Sequence, residues 1–224
     1  MILKYLFSVL CVLGFASGAG EIKFSDFHPV SEFMTVSNRR FFCRFVKYHA
    51  FPAQIGLAGN KKIPWFGLMD SIQTKGAAFR TEYDAWSTLK IDKAQKSVSA
   101  RAVFCYRKWK PHPEVFPGVA ALYRYDFADD KAQITLHCKV ENFIRKPELK
   151  LSLLALCWPR DAVRKYSLSE DKKQLRILFE DTGAVLDGSF ASVCIAGDYL
   201  QIEPEIQYGN DTASASLKIR FYAY

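Results

Sequence analysis

The residues best equipped to hold a ligand lie in one short connecting stretch, YRKWKPHPEVF, at positions 106–116. Aromatic rings stack on the flat C–H faces of sugars, and Arg and Lys donate hydrogen bonds to hydroxyl and carboxylate groups. Prolines in the stretch fix φ, which lowers the entropy lost on binding. We therefore expect five side chains to contact a carbohydrate, preferably an acidic one: Tyr106, Arg107, Trp109, Lys110 and His112. The structural alternative is that Trp109 covers an edge of the fold while the cations point to water.

Trp65 and Arg124 complete the predicted ligand-binding set. Trp65 lies in the segment IPWFGLMD, ahead of a region in which aromatic and acidic residues alternate, and could form a second wall of a sugar groove. The alternative is that this region seals the interior with its tryptophans buried. Arg124 follows the 106–116 stretch, and with Arg101 before it extends the cluster of cations.

His137 is the candidate for catalysis. A histidine on an open polar face can act as a general acid or base, although most such histidines are ordinary surface residues. Glu141 would lie on the same face, but a rise of about 3.3 Å per residue puts it about 13 Å away, too far to share a proton directly. Whether the protein is an enzyme therefore stays open.

The usual signatures of cofactor and metal chemistry are missing from the sequence. It contains no Gly-rich phosphate loop, no GxSxG, no HExxH and no EF-hand loop. We expect no cofactor and no metal site, with calcium at the acidic turns 126–130 or 181–187 as the alternative.

Alternation with a period of two is the dominant pattern, and it predicts half-buried β-strands at 97–106, 132–140 and 214–224. The uniformly apolar run 149–157 is typical of a central strand. Weaker strands are predicted at 39–48, 88–92, 174–180, 191–196 and 199–203. Many short strands with almost no helix predict an all-β fold, an antiparallel β-sandwich in preference to a barrel.

The order of strands and turns resembles that of a known family. WFGLMD is followed by the strand ALYRYDF, an acidic turn, the strand QITLHCKVEN and a last strand, QYGNDTASASLKIRFYAY. This passage resembles the large sandwich, or supersandwich, of galactose mutarotase-like proteins and of several polysaccharide lyases. The resemblance implies a carbohydrate ligand. Epimerases of that family use two histidines and a late glutamate, which this chain does not match, so no catalytic roles are carried over.

The N-terminus has the layout of a secretory signal peptide. One lysine precedes an apolar run that is too short to span a bilayer, and small residues follow it. We expect residues 1–20 to be a signal peptide, residues 21–224 to form a single sandwich domain, and the protein to be secreted or periplasmic without a transmembrane segment. The net charge of +8 favours an anionic partner. We expect an acidic polysaccharide and no nucleic acid.

Five cysteines remain after the predicted cleavage: Cys43, Cys105, Cys138, Cys157 and Cys194. None has the spacing of a zinc site, and their apolar surroundings favour buried thiols, with one disulfide as the alternative. Two functions compete at this point. The first is a secreted protein that binds or modifies carbohydrate, and the second is a non-enzymatic sandwich that binds a protein partner. The oligomeric state is not specified by the sequence.

Overall fold

The computed structural model describes residues 20–30, 32–59, 61–84, 87–106 and 114–224. Its regular structure is almost entirely β-strand, with two single-turn 3-10 helices at Thr81–Tyr83 and Arg160–Ala162. The all-β class predicted from the sequence is confirmed. The strands are β1 (Lys23–Phe24), β2 (Phe33–Ser37), β3 (Phe41–Val46), β4 (Pro52–Leu57), β5 (Gly67–Leu68), β6 (Ser71–Gln73), β7 (Ala78–Arg80), β8 (Thr88–Asp92), β9 (Ser97–Tyr106), β10 (Glu114–Phe127), β11 (Gln133–Glu141), β12 (Lys150–Ser152), β13 (Leu156–Pro159), β14 (Lys165–Leu168), β15 (Gln174–Leu178), β16 (Thr182–Asp187), β17 (Phe190–Ala196), β18 (Tyr199–Pro204), β19 (Gln207–Tyr208) and β20 (Thr212–Ala223).

These strands form one large and two small antiparallel sheets. The large sheet has the order β12-β6-β7-β9-β10-β11-β20-β16-β15-β14, with β8 paired to β9 and β19 paired to β20. The small sheets have the orders β1-β2-β3-β4 and β17-β18-β13-β5. Aromatic contacts join the layers: Phe45 meets Tyr125 at 5.2 Å between ring centroids, and Trp158 meets Phe179 at 6.0 Å. The two small sheets thus cover the inner side of the large one.

Strict alternation explains why the large sheet has one dry and one wet side. Along β11 the side chains of Ile134, Leu136, Cys138 and Val140 are buried, while the residues between them are not. β20 follows the same rule over its length. Successive side chains of a strand point to opposite faces, so this pattern assigns every second residue to the core. The buried apolar side chains of the described residues form one contiguous cluster.

The prediction of a central strand at 149–157 is wrong. β12 belongs to the large sheet and β13 to a small one, and the chain crosses between them at Leu153, Leu154 and Ala155. All three side chains are buried, so hydrophobicity alone does not reveal the crossing. Leu154 has φ = 50°, a left-handed conformation that ends strand geometry.

The 106–116 stretch is shorter as a connection than predicted, because Tyr106 still belongs to β9 and β10 already begins at Glu114. The two strands pair at this end, with Glu114 opposite Tyr106. The predicted contact residues Arg107, Trp109, Lys110 and His112 lie outside the described residues. The five cysteines are free thiols, and only Cys194 is exposed. Within the described ranges, no helix has the length and apolar character needed to span a bilayer.

Candidate functional site

The outer side of the large sheet carries a band of polar side chains in register. Lys90 on β8 lies opposite Ser99 on β9, which lies opposite Arg124 on β10. Arg124 lies opposite His137 on β11, which lies opposite Ser216 on β20. Directly opposed side chains on one face have Cβ atoms about 4.5–5.5 Å apart, so these five residues form one continuous row across five strands.

A second row runs beside the first. It consists of Thr88, Arg101, Leu122, Lys139 and Ser214, one from each of the same five strands. We refer to the ten residues of the two rows as the polar face. Neighbouring residues such as Ala100, Tyr123 and Leu136 are buried on the inner side. Because successive side chains of a strand alternate between the two faces, the residues of the polar face point outward.

His137 is held in place from both sides. Its Nδ1 lies 3.0 Å from Ser216 Oγ, and its Nε2 lies 3.3 Å from Asp126 Oδ2. Asp126 is in turn held by Arg124, whose Nε donates to Oδ1 at 2.8 Å. In the neutral ring with the proton on Nε2, Nδ1 accepts from the Ser216 hydroxyl. The ring is thus oriented on the exposed side of the sheet, with both nitrogens already partnered within the protein.

The cations of the polar face differ in whether an acid neutralises them. Arg124 pairs with Asp126, and Lys139 Nζ lies 2.9 Å from Glu141 Oε1. Lys90 and Arg101 are exposed, and neither makes an ion pair with another described residue. The polar face therefore presents two cations that have no acidic partner among the described residues, beside serine and threonine hydroxyls.

An open cavity of about 810 Å³ lies over the polar face. Its floor comes from the two rows, and one wall comes from Ser189, from 205–206 between β18 and β19, and from Gln207 at the start of β19. This wall is held in place because Glu205 N–H donates to the Ser189 carbonyl at 2.8 Å. Leu122 and Ile206 add apolar surface to the lining. Such a cleft, with apolar surface and a few convergent polar groups, suits a small or chain-like polar ligand.

A buried acid lies on the inner side of the same strands. Asp70 is fully buried, and its Oδ2 accepts from the Tyr123 hydroxyl at 2.8 Å while its Oδ1 accepts from Ala155 N–H at 3.0 Å. Tyr123 Oη also lies 3.1 Å from Thr81 Oγ1. Burial raises the pKa of Asp70 to about 6, although these hydrogen bonds oppose the rise. The group links β10 to the crossing between β12 and β13, and has no access to the cavity.

Of the predicted site residues that the structure describes, two are brought together. Arg124 and His137 are neighbours on the polar face. Tyr106 is half-buried at the end of β9 and packs on Phe79, with centroids 5.6 Å apart. Trp65 is 57% exposed, so it does not seal the interior, and it lines a separate pocket of about 190 Å³ with residues such as Pro52 and Ile63.

The sequence reasoning missed several residues of the cavity: Lys90, Lys139, Ser216 and Glu205. Alternation along β11 already placed Lys139 on the face of His137. The same signal places Ser216 on the polar side of the strand predicted at 214–224. What it cannot show is that these strands are neighbours, because pairing between β11 and β20 joins residues far apart in sequence.

No three His, Cys, Asp or Glu side chains of the described residues lie together as metal ligands. In the acidic turn after β10, Asp129 pairs with Lys96, and Arg39 Nε lies 2.5 Å from Asp130 Oδ1. These carboxylates therefore already have cationic partners within the protein.

Neither a scan against protein-family models nor a search of curated proteins finds a match to this chain.

Proposed function

We propose that the protein binds an anionic carbohydrate in the cavity over the polar face. The observation that carries this proposal is the pair Lys90 and Arg101, two cations without an acidic partner among the described residues, on the floor of an open cavity. Carboxylate and sulfate groups are the natural counter-charges for such a pair. Neighbouring hydroxyls of Ser99 and Ser214 match the hydroxyl groups of a sugar ring.

The shape of the site supports a chain-like ligand over a small compact one. The two rows span five adjacent strands, which at about 4.8 Å per strand cover roughly 20 Å across the sheet. That distance accommodates several sugar units. Leu122 and Ile206 offer apolar surface for the C–H faces of those units.

The proposed location is outside the cytoplasm, where acidic polysaccharides are encountered. The sequence pattern of residues 1–20 supports export. The four buried thiols fit this location because burial raises the pKa of Cys43, Cys105, Cys138 and Cys157, which keeps them protonated and slow to oxidise.

A glycan array that contains neutral, uronate-bearing and sulfated chains tests the proposal. We expect selective binding to the acidic chains and loss of the signal in high salt, since exposed charges are screened at high ionic strength. Binding to neutral chains alone would contradict the role of Lys90 and Arg101. Silence on every glycan would remove the proposal.

A second candidate function, binding of a protein partner, is favoured by strand β17. In the described part of the chain β17 pairs only with β18, and it contains no charged residue. Ile195 shares a face with the buried Leu200, yet is itself 39% exposed. An uncharged edge of this kind can accept an extended segment as an added strand. Cross-linking of a partner to the wild type but not to Ile195→Lys, with a silent glycan array, would favour this function.

A further inference from the structure

Residues 20–22 are bound to the turn between β10 and β11. The Gly20 carbonyl accepts from Asp130 N–H at 2.8 Å, and Ile22 N–H donates to Asp129 Oδ1 at 3.0 Å. Gly20 is buried, and so is the side chain of Ile22. The segment thus ties the beginning of the small sheet β1-β2-β3-β4 to a turn of the large sheet that is more than a hundred residues away in the sequence.

The Asp130 carboxylate lies directly against the Gly20 backbone. A Cβ atom added to Gly20 would overlap Asp130 Oδ1, so a larger residue there would push the Asp130 side chain away. That oxygen is buried and makes no hydrogen bond of good geometry, although Arg39 Nε lies 2.5 Å away. The position of the added Cβ, which overlaps this oxygen, is bonded to the Gly20 Cα. The Gly20 nitrogen is bonded to the same Cα by a bond of about 1.46 Å, so it lies within ion-pair reach of the carboxylate.

Contacts within the protein hold the turn between β10 and β11 in this geometry. Asn38 Nδ2 donates to the carbonyls of Ala128 and Lys131 at 3.1 and 3.0 Å. Asp130 itself has φ = 53°, a left-handed conformation that persists only where the surroundings enforce it. The carboxylate, whose Oδ1 already faces Arg39 Nε, is therefore a preorganised acceptor that a second cationic group at the nitrogen of Gly20 can share.

The sequence is compatible with cleavage at this position. Ser17 and Ala19 are small residues in the A-x-A-like spacing that precedes a signal-peptide cleavage site, and cleavage after Ala19 moves the predicted end of the signal peptide from residue 20 to residue 19. Hydrolysis there adds water across the Ala19–Gly20 peptide bond. The hydroxyl goes to the Ala19 carbonyl carbon and the proton to the Gly20 nitrogen, which becomes an ammonium group at neutral pH.

We propose that a signal peptidase cleaves the Ala19–Gly20 bond, and that Asp130 captures the new ammonium group of Gly20. In the uncleaved chain the same nitrogen is a neutral amide with one hydrogen, whereas after cleavage it carries a charge and three donors. Removal of the signal peptide thus adds an ion pair that fastens β1, the first strand of the small sheet β1-β2-β3-β4, to the large sheet. This inference rests on the proposed export but not on the proposed ligand.

The first test is the N-terminus of the protein recovered from outside the cytoplasm, determined by mass spectrometry. We expect it to begin at Gly20. Exported protein that begins at any other residue would overturn the proposal. Glycan binding would be unaffected by that outcome, so the two proposals fail separately.

The second test compares chains that begin at Gly20 and at Gly18, both produced from cleavable fusions. We expect the Gly20 chain to melt about 2 °C higher, the shift expected when a weak ion pair forms in a domain of this size. The difference should disappear in Asp130→Asn, because Asn tolerates the left-handed conformation but carries no charge. It should persist in the control Asp181→Asn, an exposed turn acid. Equal melting of the two wild-type chains, or the same difference in Asp130→Asn, would contradict capture.

Discussion

The two sides of strand β10 carry hydrogen-bonded polar groups in opposite environments. On the outer side Arg124 and Asp126 form an ion pair in the open, next to His137 and the cavity. On the inner side Tyr123 donates to Asp70 in the fully buried core. Water can replace the outer contacts at little cost, whereas a broken inner contact leaves a buried group without a partner. The inner network is thus suited to stability and the outer one to recognition.

Asp70→Ala should produce the largest effect of the changes that separate the two sides. It leaves the Ala155 N–H without its acceptor and removes the shorter of the two hydrogen bonds of the Tyr123 hydroxyl, and an unsatisfied buried group costs about 1–3 kcal/mol. We expect the free energy of unfolding to fall by roughly 3 kcal/mol in urea titrations. Ser216→Ala, which removes a hydrogen bond on the polar face, is the matched control and should change it by under about 0.5 kcal/mol. Equal losses of unfolding free energy in Asp70→Ala and Ser216→Ala would contradict the assignment of stability to the inner side of β10.

The outer network was partly predictable from the sequence, and the inner one was not. Alternation along 132–140 placed His137 outward without any knowledge of the fold. Its partners Asp126 and Ser216 come from neighbouring strands, and strand order depends on long-range pairing that local pattern does not encode. Asp70 stands in WFGLMD, where nothing local shows that an acid will be buried. The apolar run 149–157 concealed the crossing that brings Ala155 to it.

The pH dependence of stability tests the inner network alone. Burial raises the pKa of Asp70 to about 6, so the folded protein binds a proton more readily than the unfolded chain, in which an aspartate titrates near its ordinary pKa of about 3.9. A group whose pKa is raised on folding contributes stability below its unfolded pKa and loses it as pH rises through the folded value. From this group alone, the free energy of unfolding should increase as pH falls from about 6 to about 4.

The comparison that isolates this contribution is the wild type minus Asp70→Asn, measured by urea unfolding at several pH values. Asn keeps the shape and does not ionise, so the difference should change by an amount on the order of 2–3 kcal/mol over that window. Other acids act in the opposite direction, since hydrogen bonds from Lys96 and then Ile22 lower the pKa of Asp129. They cancel in the difference. A difference that is flat between pH 4 and 6 would show that Asp70 is ionised throughout and would refute the raised pKa.

The smallest effect in free energy should come from the outer side, and it should appear in binding without affecting stability. Lys90→Ala with Arg101→Ala removes the two cations that have no acidic partner among the described residues. Their loss costs no ion pair within that part of the protein, so the melting temperature should stay within about 1–2 °C. Affinity for the best acidic glycan should fall about tenfold at low salt, equivalent to about 1.4 kcal/mol, and less at high salt.

The matched control is Lys165→Ala with Arg176→Ala, two exposed cations on β14 and β15 that do not line the cavity. Calorimetric titration at two salt concentrations decides the question. If both pairs of substitutions weaken binding equally, overall charge attracts the glycan and the polar face has no specific role; if only the first pair does so, the cavity is the binding site.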